Sequence, residues 1–180
     1  MYTPLHVHTH YSLLDGISKP DQIAKRCKNL GIKSCAITDH GTISGNIDFY
    51  KTMKKNDIKP ILGCELYISP DASVKNKDNR SLSHLVVLAK NYDGWQDLIK
   101  IVSRCNSEDF FYYKPRIDLK NIKDNIATKN LICISGHPGS TLANSIYSFT
   151  DQSLVDGWEN KAKEHIDILQ ETFGKDNVFI

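Results

Sequence analysis

Six of the seven histidines in this 180-residue sequence lie in or just beyond short apolar runs, and an acidic residue accompanies most of those runs. His6 and His8 lie in Leu5-His6-Val7-His8, Asp39 and His40 follow Lys33 to Thr38, and Glu65 follows Pro60 to Cys64. His84 opens Leu85 to Ala89, and His137 follows Leu131 to Ser135. In a strand, alternate side chains share a face, so His6 and His8 project together, about 7 Å apart along the backbone, and their imidazoles can converge on one ion. Mixed imidazole and carboxylate donors suit Zn²⁺ or Mn²⁺, and a bridging Glu would let two ions share an acidic oxygen. Two ions about 4 Å apart lower the pKa of a bound water and clamp an in-line phosphoryl displacement. The chemistry implied is metal-assisted phosphoester hydrolysis.

Elements that can position such donors alternate along the chain. Ser18-Lys19-Pro20 begins a helix with Ile23, Ala24, Cys27 and Leu30 on one face, and Gly31 stops it. Lys33 to Thr38 reads as a strand, and Asn46 to Asn56 as a helix with Ile47, Tyr50 and Met53 on its apolar stripe. An apolar run from Ile58 to Ile68, broken at Gly63, leads to a polar loop from Pro70 to Ser81. A strand at Leu82 to Ala89 precedes a helix near Asp93 to Asn106 that buries Trp95, Leu98, Ile99 and Val102. A strand at Leu131 to Ser135, a short helix after Pro138, a long helix over Leu154 to Phe173 and a strand start at Asn177 complete the pattern. Repeated strand-then-helix order predicts an α/β fold with a parallel sheet, open or closed into a barrel, whose functional face lies at the C-terminal strand ends. Asp39, His40, Glu65 and His137 all follow such ends.

The bounds agree. A chain of this length forms one domain that buries ~70% of its unfolded surface, short of the ~250 residues of a complete (β/α) barrel. The net charge of +2 provides no bulk attraction for nucleic acid. Five cysteines form no CxxC pair, the pattern of a reduced, cytoplasmic chain. Neither a signal peptide nor a membrane span is expected.

Simpler roles compete for several residues. His165 shares the core stripe of the long helix with Ile166 and Leu169 and reads as structural. Asp15-Gly16 also fits a plain turn, and Asp39 also fits a helix cap.

Four segments carry a family resemblance: residues 3–16 (Thr3-Pro4-Leu5-His6-Val7-His8-Thr9-His10 through Asp15-Gly16), Ile37-Thr38-Asp39-His40-Gly41, Lys59 to Glu65, and Ser83-His84 to Asn91. In order and spacing they closely resemble the PHP (polymerase and histidinol phosphatase) domain that opens bacterial replicative DNA polymerase III alpha subunits, across residues 1–180. The resemblance implies a distorted (β/α)7 barrel with up to three metal ions, capable in some relatives of metal-dependent 3′–5′ exonuclease proofreading. It implies that His6 and His8 hold one ion with Glu65, which bridges to a second ion held by His84 and His137, the most complete site. Asp15 and His40 serve a third, and Asp39 supports them. Polymerase members usually place Cys where this chain has His137. The family also closes its site with a later Asp-x-His, so the chain is expected to be C-terminally incomplete, without the polymerase palm, fingers and thumb.

Phe110-Phe111-Tyr112-Tyr113-Lys114-Pro115-Arg116 interleaves aromatics with cations. This is the composition of a single-strand stacking platform, and equally of rings packed into a barrel. Arg116 is the expected phosphate clamp. The partners implied are the single-stranded 3′ end of DNA, the rest of the alpha subunit and a separate proofreading exonuclease. Two other readings stand beside the exonuclease: a docking module with a vestigial metal site, and a small-molecule phosphatase of the histidinol phosphate type.

Overall fold

The computed structural model describes residues 2–180 as a mixed α/β domain. Helix α1 (Pro20–Asn29) starts on a proline, the Gln22 side chain accepting from the Lys19 amide at 2.9 Å, and buries Ala24 and Cys27. Strand β1 (Ser34–Ile37) leads to α2 (Asn46–Lys55) and then β2 (Lys59–Ile68). Strand β3 (Ser83–Ala89) is followed by α3 (Tyr92–Cys105), whose Asn91 cap accepts from the Gly94 amide at 3.0 Å. The short β4 (Arg116–Ile117) precedes α4 (Leu119–Asn125), capped by Asp118. Then come β5 (Leu131–Ile134), α5 (Thr141–Ile146), a hairpin of β6 (Tyr147–Ser148) and β7 (Ser153–Leu154), α6 (Trp158–Phe173) and β8 (Val178–Phe179).

The main sheet runs β1-β2-β3-β5-β8, with β4 also paired to β2. The α/β class holds. Parallel pairing joins β1 to β2, β2 to β4 and β5 to β8, while β3 is antiparallel to both β2 and β5. The β2–β3 connection is a polar loop with no helical crossover, and only a parallel pair requires a crossover. Among the described residues no ladder joins β1 to β8, so the strand path has two ends. No described helix is long and apolar enough to cross a membrane.

Period-two alternation along β2 and β3 sorts the side chains into two layers. Cys64, Leu66, Ile68, Leu85 and Val87 face α3 and α6, meeting Leu98, Ile101, Leu169 and Phe173 in the largest core cluster. On the other face Val86 and Leu88 pack with Ala36 and with partly buried Ile61, Ile132 and Ile134. Glu65 and Tyr67 share that second face, in register with Val86 and His84.

Two boundaries and one buried face differ from the sequence pattern. Strand β2 runs through Gly63 unbroken: a Cβ there would meet Leu88 Cδ2 at 2.5 Å and the Val87 carbonyl oxygen at 2.7 Å, so the glycine admits β3 at close range. Helix α2 buries Asn46, Phe49 and Met53, whereas Ile47 and Tyr50 stay exposed. Helix α6 begins at Trp158, after the β6–β7 hairpin and a left-handed Gly157.

Candidate metal centre

The site is assembled around one carboxylate. Glu65 is 1% exposed on the inner face of β2, and five imidazoles surround it. On Oε2 it meets His6 Nε2 at 2.7 Å, His8 Nε2 at 2.9 Å and His40 Nδ1 at 3.5 Å. On Oε1 it meets His84 Nδ1 at 2.7 Å and His137 Nε2 at 3.1 Å.

Residues 5–8 do not form the expected strand. The Ala36 amide donates to the Pro4 carbonyl and the Thr38 amide to the Val7 carbonyl, both at 2.9 Å, so three steps along one segment match two along the other. The extra residue is absorbed by a bend at His6, and the Val7 amide turns to Thr38 Oγ1 at 2.9 Å. The two histidines converge nonetheless, with Nε2 atoms 3.0 Å apart.

Beyond His8 the chain is held by Asp39. This buried carboxylate accepts from the Thr9 amide at 2.6 Å and the Thr9 hydroxyl at 2.8 Å, so it anchors the His8–His10 turn. Ser12 has no counterpart in the sequence reading. Its Oγ accepts from the His40 amide at 2.8 Å and lies 3.0 Å from His8 Nδ1, tying the N-terminal loop to the end of β1. Asp15 Oδ2 sits 3.3 Å from His8 Nδ1 and 3.6 Å from His40 Nε2.

Three triads have donor atoms all within 4.8 Å of one another: His6/His8/Glu65, His8/Asp15/His40 and His40/Glu65/His84. The first two bring together the residues expected at the first and third sites. Glu65/His84/His137, expected to be the most complete, is not among the triads of the described residues, and His40 takes the place beside His84. The Gly139 amide donates to His137 Nδ1 at 3.2 Å, which leaves Nε2 as the atom that faces Glu65, at 3.1 Å.

The electrostatics follow from burial among like groups. Burial alone would raise the Glu65 pKa, but hydrogen bonds from His6, His8 and His84 and the charge of His40 hold it far below the usual carboxylate range. Burial lowers His40 and His137, helped by neighbouring imidazoles. Burial acts the same way on His8, but the Glu65 hydrogen bond and charge outweigh it and His8 is raised. His40 Nδ1 and His137 Nε2 are buried without a hydrogen-bond partner. Orphaned imidazole nitrogens around an ionised carboxylate are donors in want of a cation, so this donor set fits a divalent metal.

Arg116 is absent from the site, a correction to the expected phosphate clamp. Its side chain is 0% exposed, and its guanidinium donates to the carbonyls of Phe110 (3.1 Å), Asn79 (2.8 Å), Ala72 (3.2 Å) and Val74 (2.8 Å). With four of five N–H groups committed to the main chain, it is a loop frame. The neighbouring aromatics divide between both roles: Phe110 is buried, and Phe111 and Tyr113 are exposed. His165 is structural as read, bonded to Thr141 Oγ1 at 2.7 Å.

Fold and donor set together define an α/β domain with a cluster of residues able to hold a metal ion. The chain belongs to the PHP domain family, whose model matches residues 4–180. It is 46% identical to the DNA polymerase III subunit alpha of Helicobacter pylori over 134 residues, which is 74% of this chain and 11% of that protein. It is 37% identical to the subunit of the same name from Treponema pallidum over 182 residues, 99% of this chain and 15% of that one. The chain thus spans less than a sixth of the length of these relatives. Among solved structures, a protein from Bifidobacterium adolescentis described as a metal-dependent phosphoesterase overlaps 55% of this chain and 32% of its own, at 20% identity and a TM-score of 0.39.

Proposed function

We propose that this chain is the PHP domain of a DNA polymerase III alpha subunit and that its histidine cluster is a metal-dependent phosphoesterase site acting on DNA 3′ ends. The observation that carries the reading is Glu65, with histidines on both of its oxygens, a bridging arrangement that a purely structural carboxylate does not need. His6, His8 and Glu65 would hold one Zn²⁺ or Mn²⁺ ion, His40 and His84 a second through Glu65, and Asp15 with His8 and His40 a third. Bound divalent ions supply Lewis acidity and lower the pKa of water. The chain's own residues do the positioning: Asp39 and Ser12 fix the N-terminal loop, and the apolar layer beneath Glu65 keeps water from its rear. The partners in this reading are a single-stranded 3′ end, the rest of the alpha subunit and a separate proofreading exonuclease.

The test is Mn²⁺-dependent shortening of a 3′-labelled single strand, with Glu65→Gln as control. Shortening that Glu65→Gln abolishes is the expected result. Metal binding without shortening would instead favour the docking module.

A further inference from the structure

A groove of about 920 Å³ opens onto His40. Its walls include Tyr11, Thr42, Ser44, Tyr67, Tyr113 and Lys114. Among the described residues the groove is lined by one lysine, several hydroxyl groups and aromatic rings, and by no carboxylate. That combination suits an anion attached to a flat ring system, and the volume falls within the range of ligand pockets, about 300–1,000 Å³.

Lys114 is one aromatic ring away from the metal centre. Its Nζ lies 4.4 Å from the Tyr67 ring centroid, and Tyr67 stacks on His40 at 5.4 Å and meets His84 edge-on at 5.1 Å. The neighbouring Tyr113 is 70% exposed, with φ +61, a left-handed conformation that bulky residues rarely adopt. Such a conformation persists where the surroundings over-determine it. Here the Tyr112 amide donates to the Lys114 carbonyl at 3.3 Å across the turn, Arg80 Nη2 donates to the Tyr113 hydroxyl at 2.7 Å, and the Arg80 guanidinium lies 4.3 Å from the Tyr113 ring. Beneath them, Arg116 sits 4.9 Å from the Tyr112 ring while it grips four carbonyls. The buried arginine is the scaffold, and the working cation is its neighbour two residues earlier.

Resting on the phosphoesterase reading above, we infer that this groove seats the terminal nucleotides of a single DNA strand, with Lys114 on a backbone phosphate beside the scissile one and Tyr113 against a base. Lys114 is a substrate-binding residue and Tyr113 a stacking residue.

Binding and cleavage can be tested apart. Fluorescence anisotropy with a labelled single-stranded oligodeoxythymidine, in EDTA, reads seating without chemistry. Lys114→Ala is expected to bind about tenfold more weakly, with a log–log salt slope shallower by about 0.7, the value of one single-strand phosphate contact. Lys114→Arg should recover most of the loss, and Tyr113→Ala should weaken binding about tenfold with the slope unchanged. Lys51→Ala, an exposed lysine on α2 outside the groove, should bind like the parent, and unchanged melting should accompany Lys114→Ala. Parent-like affinity in Lys114→Ala, or no binding of the strand by the parent at low salt, overturns the inference even if 3′ shortening is observed. Binding that depends on Lys114 upholds it even if no shortening occurs, in which case the phosphoesterase reading alone fails.

Discussion

His40 and Glu65 are joined by the backbone but not by their side chains. The Gly41 amide donates to the Glu65 carbonyl at 2.8 Å and the Glu65 amide to the Asp39 carbonyl at 3.1 Å, a parallel bridge that extends the β1–β2 pairing past the end of β1. Yet His40 Nδ1 stops 3.5 Å from Glu65 Oε2 and has no hydrogen-bond partner. A rigid bridge that holds two donors side by side without pairing them is preorganised for a third party, and the chemistry of the donors makes that party a cation.

Metal should therefore stabilise the fold through Glu65. Zn²⁺ or Mn²⁺ at 100 times its Kd is expected to add about 2.7 kcal/mol to unfolding. Glu65→Gln keeps the shape, removes the charge shared by two of the three candidate sites and should remove most of that increment. Elemental analysis after dialysis should show more than one ion per parent chain and less than one in the variant. Equal metal content in both would contradict the arrangement.

Acid should unfold the metal-free protein in two stages. Burial lowers the pKa of His165 below its usual 6.5, so the unfolded chain binds that proton more readily and stability falls as pH drops from about 6.5 toward the folded value. His40 and His137 act in the same direction, and His8, which is raised, opposes them. Glu65 is depressed, so its contribution is complete above its ordinary 4.5 and is lost as pH falls toward its folded value. Urea midpoints measured from pH 7 to pH 4 should decline throughout, and Glu65→Gln should flatten the part below about pH 4.5.

Arg116 separates a frame from a clamp. Arg116→Ala strands four carbonyls and leaves a cavity, an expected cost of about 3 kcal/mol or more in urea unfolding. Lys offers three donors from a single point in place of a planar fork, so Arg116→Lys should recover only part of it. A clamp would instead lose substrate affinity at unchanged stability.

What could be read in the chain before its structure was the chemistry of the donors, and what could not was long-range geometry. His40, Glu65, His84 and His137 converge because each lies in or beside a strand whose apolar run is visible, whereas His6, His8 and Asp15 join them from an N-terminal loop. Parity along Leu5 to His8, however, cannot reveal one extra residue opposite Ala36–Thr38, and so cannot show the bend at His6. Arg116 and Lys114 look alike beside tyrosines. Their fates are decided by carbonyls of residues 72–79, remote in sequence, that close over one and leave the other free. The exposure of Ile47 and Tyr50 in place of Phe49 has a similar origin: the helix turns Asn46 inward, where its Nδ2 donates to the Gly63 carbonyl at 3.0 Å.

Gly16 tests whether the N-terminal loop sets metal affinity. A Cβ at this position would lie 2.1 Å from the Thr9 carbonyl oxygen and 2.7 Å from its carbon, so Gly16→Ala must push the Thr9 turn away from Asp15. That turn carries His8 and is held by Asp39 and Ser12. The expected result is a 10- to 100-fold weaker metal Kd, by analogy with the loss of groups that orient ligands. Calorimetric titration checks it, with the far-UV spectrum retained.

Leu14 offers the opposite sign. It is fully exposed and holds φ +69 in the left-handed region, with Leu13 and Ile17 exposed on either side. A branched side chain costs about 1–2 kcal/mol in that conformation, and glycine gives back about 0.5–1 kcal/mol of that relief as unfolded-chain entropy. No burial is lost on truncation. Leu14→Gly is therefore expected to stabilise the metal-free protein by about 0.5 kcal/mol, read as a higher urea midpoint at unchanged slope. The neighbour of Leu14 is the candidate ligand Asp15, so the freed backbone should also weaken the His8/Asp15/His40 site. A variant that melts higher and binds less metal would show that the strained leucine holds Asp15 in place, whereas a lower midpoint would mean that Leu14 makes contacts that stabilise the fold.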